Sequence, residues 1–440
     1  MLGLILIFVI ILWFILWLLQ VYWKYGMSKY LKQLSGPKPV FLLGNLDAVL
    51  FLPREKYFSK LQEFINQYGP MFRVQVGPKL VAVICTDVKF AEFILTSSKT
   101  TEKSLVYGFL HGWLGTGLVT STEAAMGIQI NAQESQTSKY VKSVNTMCDI
   151  FIGRATSPMP NFLYRFTPNY YREQKAIRVL HDQTDKIIDT KIREKCNNGN
   201  IHSNQQDKST RKRLAFLDLL LESTIDGKPL SRLAIREEVD TFMFAGHDTT
   251  ATAISFALYC LAMNPRVQER AFIEQQEMFG TNLKTAKPTI NQLQEMKYLE
   301  MVIKESLRLY PSVPFLGRAI SDDEEFIWEG NVFRKGIEVL ICIYHMHRNP
   351  KYFHDPDTFI PERFEEVNKY NSFIFLPFSA GFRNCIGQRF AMLEMKSIIS
   401  KVLRNFELLP TDPPHEVKVV PNIVIASTNG IHLRLRNRSD

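Results

Sequence analysis

Phe378-Ser379-Ala380-Gly381-Phe382-Arg383-Asn384-Cys385-Ile386-Gly387 is the stretch on which the reading of this chain turns. Gly381 permits a tight turn that a side chain would resist. Cys385 stands just before a run with helical spacing. The positive end of that helix, with its free N–H groups, is expected to favour a thiolate. Gly387 has no side chain, so a flat group can lie close against the backbone there. Arg383 offers a cation to an acidic group, and Phe378 an apolar surface. Alone, Cys385 would read as a structural cysteine beside a turn; the full spacing of Phe, Gly, Arg, Cys and Gly points to chemistry.

Working outward, a helix is expected over Gly387 to Leu408, and another over Tyr298 to Leu309, stopped by Pro311. Glu305 and Arg308 share a face of the second at i, i+3 and can pair. Pro361-Glu362-Arg363-Phe364 supplies a further arginine. A longer helix is expected over Ser231 to Met263, apolar on most faces from Phe242 to Leu261 and therefore buried. Inside it, Ala245-Gly246-His247-Asp248-Thr249-Thr250 places an acid and hydroxyls where they are costly without a role. Thr249 is expected to bond back to a carbonyl one turn earlier and open a groove. His181 to Glu194 is also helical in spacing, and Cys196 to Arg213 reads as a surface loop. Met71 to Val76, Val81 to Cys85, Phe326 to Phe333 and the region of Ile431 to Leu435 read as strands.

These motifs together resemble the cytochrome P-450 superfamily. The resemblance implies a mainly α fold with small β-sheets, and haem b with Cys385 as the axial iron ligand. A thiolate in that position favours O–O cleavage. Arg383 and Arg318 would meet the propionates, with Phe378, Gly381, Gly387 and Ala245 around the macrocycle. Glu305, Arg308 and Arg363 would form the charge network that braces the cysteine loop. Ala245 and Gly246 would leave room for dioxygen, and Asp248 and Thr249 would relay protons. Phe242, Val313 and Phe315 are candidate substrate contacts, each equally well explained as core. Electrons would come from NADPH through a separate membrane flavoprotein reductase, with cytochrome b5 as a further partner.

Asp240-Thr241-Phe242-Met243-Phe244 and His345-Met346-His347-Arg348-Asn349-Pro350 resemble family 4 of the superfamily. That implies oxidation of a lipophilic chain such as a fatty acid. Many family-4 members carry Glu at the position of Ala245, where it can be esterified to haem; Ala245 predicts non-covalent haem. The family also carries Trp-x-x-x-Arg on an early helix. None of Trp13, Trp17, Trp23, Trp113 and Trp328 has arginine four residues on. Gly112 to Val119 resembles the segment before that helix, and Ala124 to Gly127 one well beyond it. About 60 residues of the usual plan are then missing at a join near Ser121 to Glu123, judged from length and spacing. The fold is expected to be incomplete, which makes an inactive splice form or incomplete gene model the competing reading. A haem-thiolate isomerase is disfavoured, since peroxide rearrangement has no use for Asp248 and Thr249.

Leu2 to Leu19 is an unbroken apolar run, long enough to cross a bilayer as a helix. Lys24, Lys29 and Lys32 follow it, so the positive-inside rule places the remainder on the cytoplasmic face. Residues 1–23 are expected to anchor the chain in the endoplasmic reticulum membrane as a single pass. Residues 24–40, with Ser35-Gly36-Pro37-Lys38-Pro39, read as a basic, proline-rich linker, and 41–440 as one catalytic domain. The 440 residues are 46% hydrophobic and 22% charged, a globular balance. The six cysteines form no C-x-x-C pair, which excludes a disulfide framework and a zinc site. The net charge of +9 suits anionic lipid or an acidic redox partner. No basic run is interleaved with aromatics, so nucleic acid is not an expected partner.

Overall fold

The computed structural model describes residues 2–31, 33–40, 43–77, 80–116, 118, 137–157, 159, 161–199, 216–320, 325–365 and 372–438. Its longer helices are α1 (Leu2–Ser28), α2 (Tyr57–Tyr68), α3 (Val88–Thr96), α4 (Thr137–Ala155), α5 (Pro168–Gly199), α6 (Arg232–Met263), α7 (Pro265–Phe279), α8 (Lys297–Leu309) and α9 (Gln388–Asn405). The strands that matter below are β1 (Met71–Val76), β2 (Leu80–Cys85), β3 (Phe315–Ala319), β4 (Phe326–Trp328), β5 (Asn331–Phe333), β6 (Ile337–Cys342), β7 (Phe406–Leu409) and β8 (Arg434–Asn437). Mainly helical architecture with small sheets is what the sequence led us to expect.

Local chemistry explains the boundaries. Ser231 caps α6, its hydroxyl accepting the Ala234 N–H at 3.1 Å. Pro265 opens α7, where its missing N–H costs nothing. The expected strand over Phe326 to Phe333 is instead a hairpin. Glu329 and Gly330 both take positive φ, 46° and 73°, the turn that matches strand twist. Helix α5 runs well past the His181 to Glu194 expectation at both ends and includes Cys196, which had been assigned to a loop. Past Glu194 the turns are polar, but before His181 the helix carries Ala176, Ile177 and Leu180 at helical spacing in a core, a signal the sequence reading passed over. Residues 200–213 of that expected loop, and the join near Ser121 to Glu123, lie outside the described residues.

Four strands form the main sheet in the order β1-β2-β6-β3, with β2 and β6 parallel and the outer pairs antiparallel. Val83, Val339 and Ile341 of this sheet pack with Phe90 and Ile94 of α3 and with Phe333. A second core joins α6, α7, α8 and α9 through Leu261, Ala271, Val302, Ile303, Met395 and Ile399. Each such aliphatic side chain contributes about 1.5–3 kcal/mol on burial. The Cys385 loop lies between the two cores: Ala380 packs on the first and Phe378 on the second. A third core brings Leu110, Trp113 and Leu114 against Tyr140, Val144 and Met147 of α4, Leu180 of α5 and Phe244 of α6.

Two observations qualify the expected burial. Helix α6 is covered at both ends, but Gly246, His247 and Ala251 in its middle are exposed. The first turn of α9, Gln388 to Phe390, is equally open. At the N-terminus, Ile5 to Leu16 of α1 are all exposed to solvent. Side chains of α1 are described continuously only over residues 5–17. Among the described residues, no helix is long and apolar enough to cross a membrane.

Candidate active site

The cysteine loop is shaped by its backbone. Gly381 takes φ +71°, and a Cβ there would lie 1.8 Å from the Leu95 carbonyl oxygen, so only glycine fits. The Cys385 N–H donates to the Phe378 carbonyl at 2.9 Å and closes the loop. Helix α9 follows at once, with Gly387 at its N-cap.

Behind the loop lies a buried charge network. Glu305, fully buried, accepts from Arg308 Nε at 2.8 Å and Nη2 at 2.9 Å, and from Arg363 Nε at 3.0 Å. It also accepts the Ile360 N–H at 2.9 Å. Arg308 Nη1 donates to the carbonyls of His347 at 2.9 Å and Pro356 at 2.6 Å. These bidentate and carbonyl bonds offset the desolvation of both charges. His347, which sequence reading had not given a site role, continues the chain of contacts. Its Nε2 accepts the Leu376 N–H at 2.8 Å. Burial, then Arg308 and Arg348, push its pKa down to about 3, so it stays a neutral acceptor. Leu376 in turn accepts the Ser379 N–H at 3.1 Å, at the root of the cysteine loop. The structure thus brings Glu305, Arg308 and Arg363 together and connects them to the loop.

On α6, the Thr249 hydroxyl donates to the Ala245 carbonyl at 2.6 Å. The Thr249 carbonyl accepts from Ser312 Oγ at 2.9 Å. The helix runs unbroken through this turn, back-bonded at Ala245 and pinned from outside at Thr249. Asp248 does not share this face. It lines a cavity of about 400 Å³ with Thr252, Asn145 and Cys148 of α4, and Asn422 and Ile425 near the C-terminus. Burial raises its pKa, and His247 partly offsets this.

Cys385 opens onto a cavity of about 800 Å³ with Phe378, Ile386, Arg389 and Met392. Its thiol departs from the expectation. The Gly387 and Gln388 amides do lower its pKa, but burial raises it more, so the thiol form is favoured in the empty loop. Although the residue is open to solvent, it sits deep among the surrounding chain. A metal ion deprotonates a coordinating thiol outright.

Three cations converge beside the loop. Arg318 of β3 is buried, 4% exposed, and Lys103 stands directly opposite it at an isolated antiparallel bridge. Burial, Arg383 and Arg318 push the Lys103 pKa down to about 7. Burial and Arg383 likewise lower that of Arg318. Lys103 was missed in the sequence because nothing local marks it; the bridge to β3 gathers it in. Like charges held this close fit a ligand that brings negative charge. The residue types fit haem, with a cysteine sulfur, three cations for two carboxylates and free space at Gly387, although Lys103, Arg318, Arg383 and Gly387 do not line the cavity onto which Cys385 opens. A Cβ on Gly387 would meet nothing closer than Cys385 Sγ at 3.9 Å.

The three candidate substrate contacts do not join this site. Phe242 packs on Phe216 at 4.4 Å between ring centres, in a core with Ile188 and Val239. Phe315 packs on Phe58 at 5.9 Å, and Val313 is half-buried and lines neither cavity. Two further acidic features lie on α6. Asp240, fully buried, accepts from Thr184 Oγ1 at 2.5 Å, and burial pushes its pKa up to about 7. Glu237 accepts from the Thr116 hydroxyl at 2.9 Å, and Glu238 from the Leu118 N–H at 3.4 Å. The Leu118 carbonyl accepts from Lys103 Nζ at 2.9 Å.

Comparison with known proteins agrees with this geometry. The family described as Cytochrome P450 matches residues 118–433. The chain is 38% identical over 477 residues to Cytochrome P450 4d2 of Drosophila melanogaster, covering 92% of this chain and 94% of that one. It is 35% identical to human Cytochrome P450 4V2 over 455 residues, covering 87% and 86%. An alignment of 477 residues that takes up 92% of a 440-residue chain leaves dozens of the relative's positions without a counterpart here. With its braced cysteine loop, the back-bonded Thr249 on α6 and these relatives, the chain belongs to the cytochrome P450 family of haem monooxygenases, alongside members of family 4.

Proposed function

We propose that the chain holds haem b non-covalently through Cys385 and inserts one oxygen atom of dioxygen into a lipophilic substrate of the fatty-acid class. The observation that carries the reading is the braced loop: Glu305, Arg308, Arg363 and His347 fix the backbone that presents the Cys385 sulfur. Bound haem would supply the oxygen-activating iron. Arg383, Arg318 and Lys103 would hold its carboxylates, and Phe378 and Gly387 would border its ring. The Thr249 hydroxyl, anchored on Ala245, would hold a proton on that face of α6. Asp248, whose pKa burial raises, faces a separate cavity and can exchange protons there. The substrate class is what the resemblance to family 4 implies. Electrons from NADPH would arrive through a membrane reductase, with cytochrome b5 as a further donor. The exposed apolar face of α1 supports an anchor in the endoplasmic reticulum membrane, with the linker laid against β1 through the Arg73 N–H to Ser35 carbonyl bond of 2.9 Å.

A second reading is an inactive, shortened form that binds haem poorly. The relatives' unmatched positions and the bare middle of α6 favour it. The absorption spectrum of the dithionite-reduced, carbon monoxide-bound protein in detergent decides. A strongly red-shifted Soret band is expected; an unshifted band, or no haem, sinks the first reading in favour of the second. Ala245 has no carboxylate to esterify, so acidified organic solvent is expected to extract all the haem. Haem that stays with the protein would show a covalent bond.

A further inference from the structure

Glu338 is a buried carboxylate that none of the chemistry above uses. It lies on β6, 4% exposed, between Ala82 of β2 and Ala319 of β3 in register. A carboxylate in the middle of a sheet is costly unless its oxygens are satisfied. Here both are taken by one turn. The Ser104 hydroxyl donates to Oε2, and the Leu105 N–H donates to Oε1 at 2.8 Å. The same turn is joined to β3 from its other side. The Ala319 N–H donates to the Glu102 carbonyl at 3.0 Å, and Lys103 bridges to Arg318. Gly317 lets it come this close, since a Cβ there would lie 2.6 Å from Ser104 Cβ.

The clamp is unusual because of what it holds. Like charges directly opposite each other across strands destabilise, yet Lys103 faces Arg318 with Arg383 nearby. Glu338 does not cancel that charge; its oxygens face a hydroxyl and an amide. It holds the turn in a place that electrostatics alone would open. Such an arrangement is explained when a dianionic ligand completes it.

We propose that Glu338 is a positioning residue for haem binding: by clamping Ser104 and Leu105 it fixes Lys103 opposite Arg318 as a cation for the haem carboxylates. This rests on the haem reading above. It also explains how a chain without the Trp-x-x-x-Arg helix of its family keeps a multivalent hold on those carboxylates.

The test compares haem with its dimethyl ester, which has the same ring and iron but no carboxylate charge. Wild-type protein and the variants Glu338→Ala, Glu338→Gln and Lys103→Gln are loaded with each porphyrin in detergent. Loss to excess apomyoglobin is followed by absorbance, with thermal unfolding of each empty chain alongside. For haem, Glu338→Ala and Lys103→Gln are expected to speed loss about tenfold, the scale of one hydrogen bond to a charged group. Glu338→Gln keeps one acceptor and should fall between them and wild type. For the ester, all four proteins should lose porphyrin at the same rate. Equal acceleration for haem and ester would assign Glu338 a merely structural role and overturn the proposal. Unchanged haem loss in Lys103→Gln would overturn it while leaving the haem reading intact. Failure of wild type to take up either porphyrin would overturn both.

Discussion

Glu305, Arg308 and Arg363 are buried charges of mixed sign, while Lys103, Arg318 and Arg383 are charges of one sign, gathered on the other side of the same loop. The first cluster satisfies itself. Every strong donor meets a carboxylate or carbonyl within hydrogen-bond distance, and a neutral His347 passes the constraint on to Leu376. The second pushes its own members' proton affinities down. The contrast teaches how to tell scaffold from site when no ligand is present. The scaffold pairs opposite charges, whereas the second cluster sets like charges side by side, the arrangement suited to an anionic ligand.

The largest test breaks the scaffold. Arg308→Ala leaves Glu305 buried with Arg363 as its remaining cation and strips hydrogen bonds from His347, Pro356 and Thr358. Urea unfolding should show a loss of about 3–5 kcal/mol, the scale for a broken buried pair. An unchanged midpoint would mean that the network is not what holds the loop.

Asp240 sharpens the comparison as a buried acid that accepts from the Thr184 hydroxyl at one oxygen and has His181 Nε2 3.7 Å from the other. Its pKa is raised to about 7 in the folded chain, so between the ordinary carboxylate range and pH 7 the folded state binds the extra proton. Its contribution to stability is therefore present at low pH and is lost as pH rises through about 7. The wild-type urea midpoint should fall more between pH 5 and pH 8 than that of Asp240→Asn. Equal falls would show that the carboxyl does not titrate there.

The smallest effect belongs to the cationic corner. Lys103 has a folded pKa of about 7, below its unfolded value, so above pH 7 the unfolded chain binds the extra proton. The empty chain should gain stability as pH rises from about 7 toward 10. Lys103→Met should flatten that rise and raise the midpoint at pH 7, the opposite sign to Arg308→Ala. A lower midpoint at pH 7 would show that Lys103 belongs to the scaffold instead.

The same contrast explains what the sequence could reveal. The Cys385 loop, the Glu305–Arg308 spacing and the Thr249 back-bond are local, set by residues within a turn or two of each other, and were legible as patterns. The start of α6 at Ser231 and the strand at Met71 to Val76 were legible for the same reason. Lys103 was not, since its role depends on a bridge between segments more than two hundred residues apart. Phe242 and Phe315 pack on Phe216 and Phe58, a choice the sequence left open because a helix or strand that is apolar all round does not say which aromatic faces core and which faces a cavity. The thiol shift of Cys385 was missed because motif reading weighs the helix amides and does not weigh depth.

The clasp of Glu237 and Glu238 on Thr116 and Leu118 has a consequence for how this gene family can vary. Leu110, Trp113 and Leu114 before the join, and Tyr140, Val144 and Met147 after it, pack into one core against α5 and α6. The two ends of the intervening stretch are thus stitched to the same ground, independently of what runs between them. For a stretch closed in this way, each doubling in length costs only about 0.6 kcal/mol of chain entropy. An exon's worth of sequence can be removed or restored there with little penalty in loop closure. Variation in that stretch is then limited by what it packs against, not by whether the flanking chain can still close.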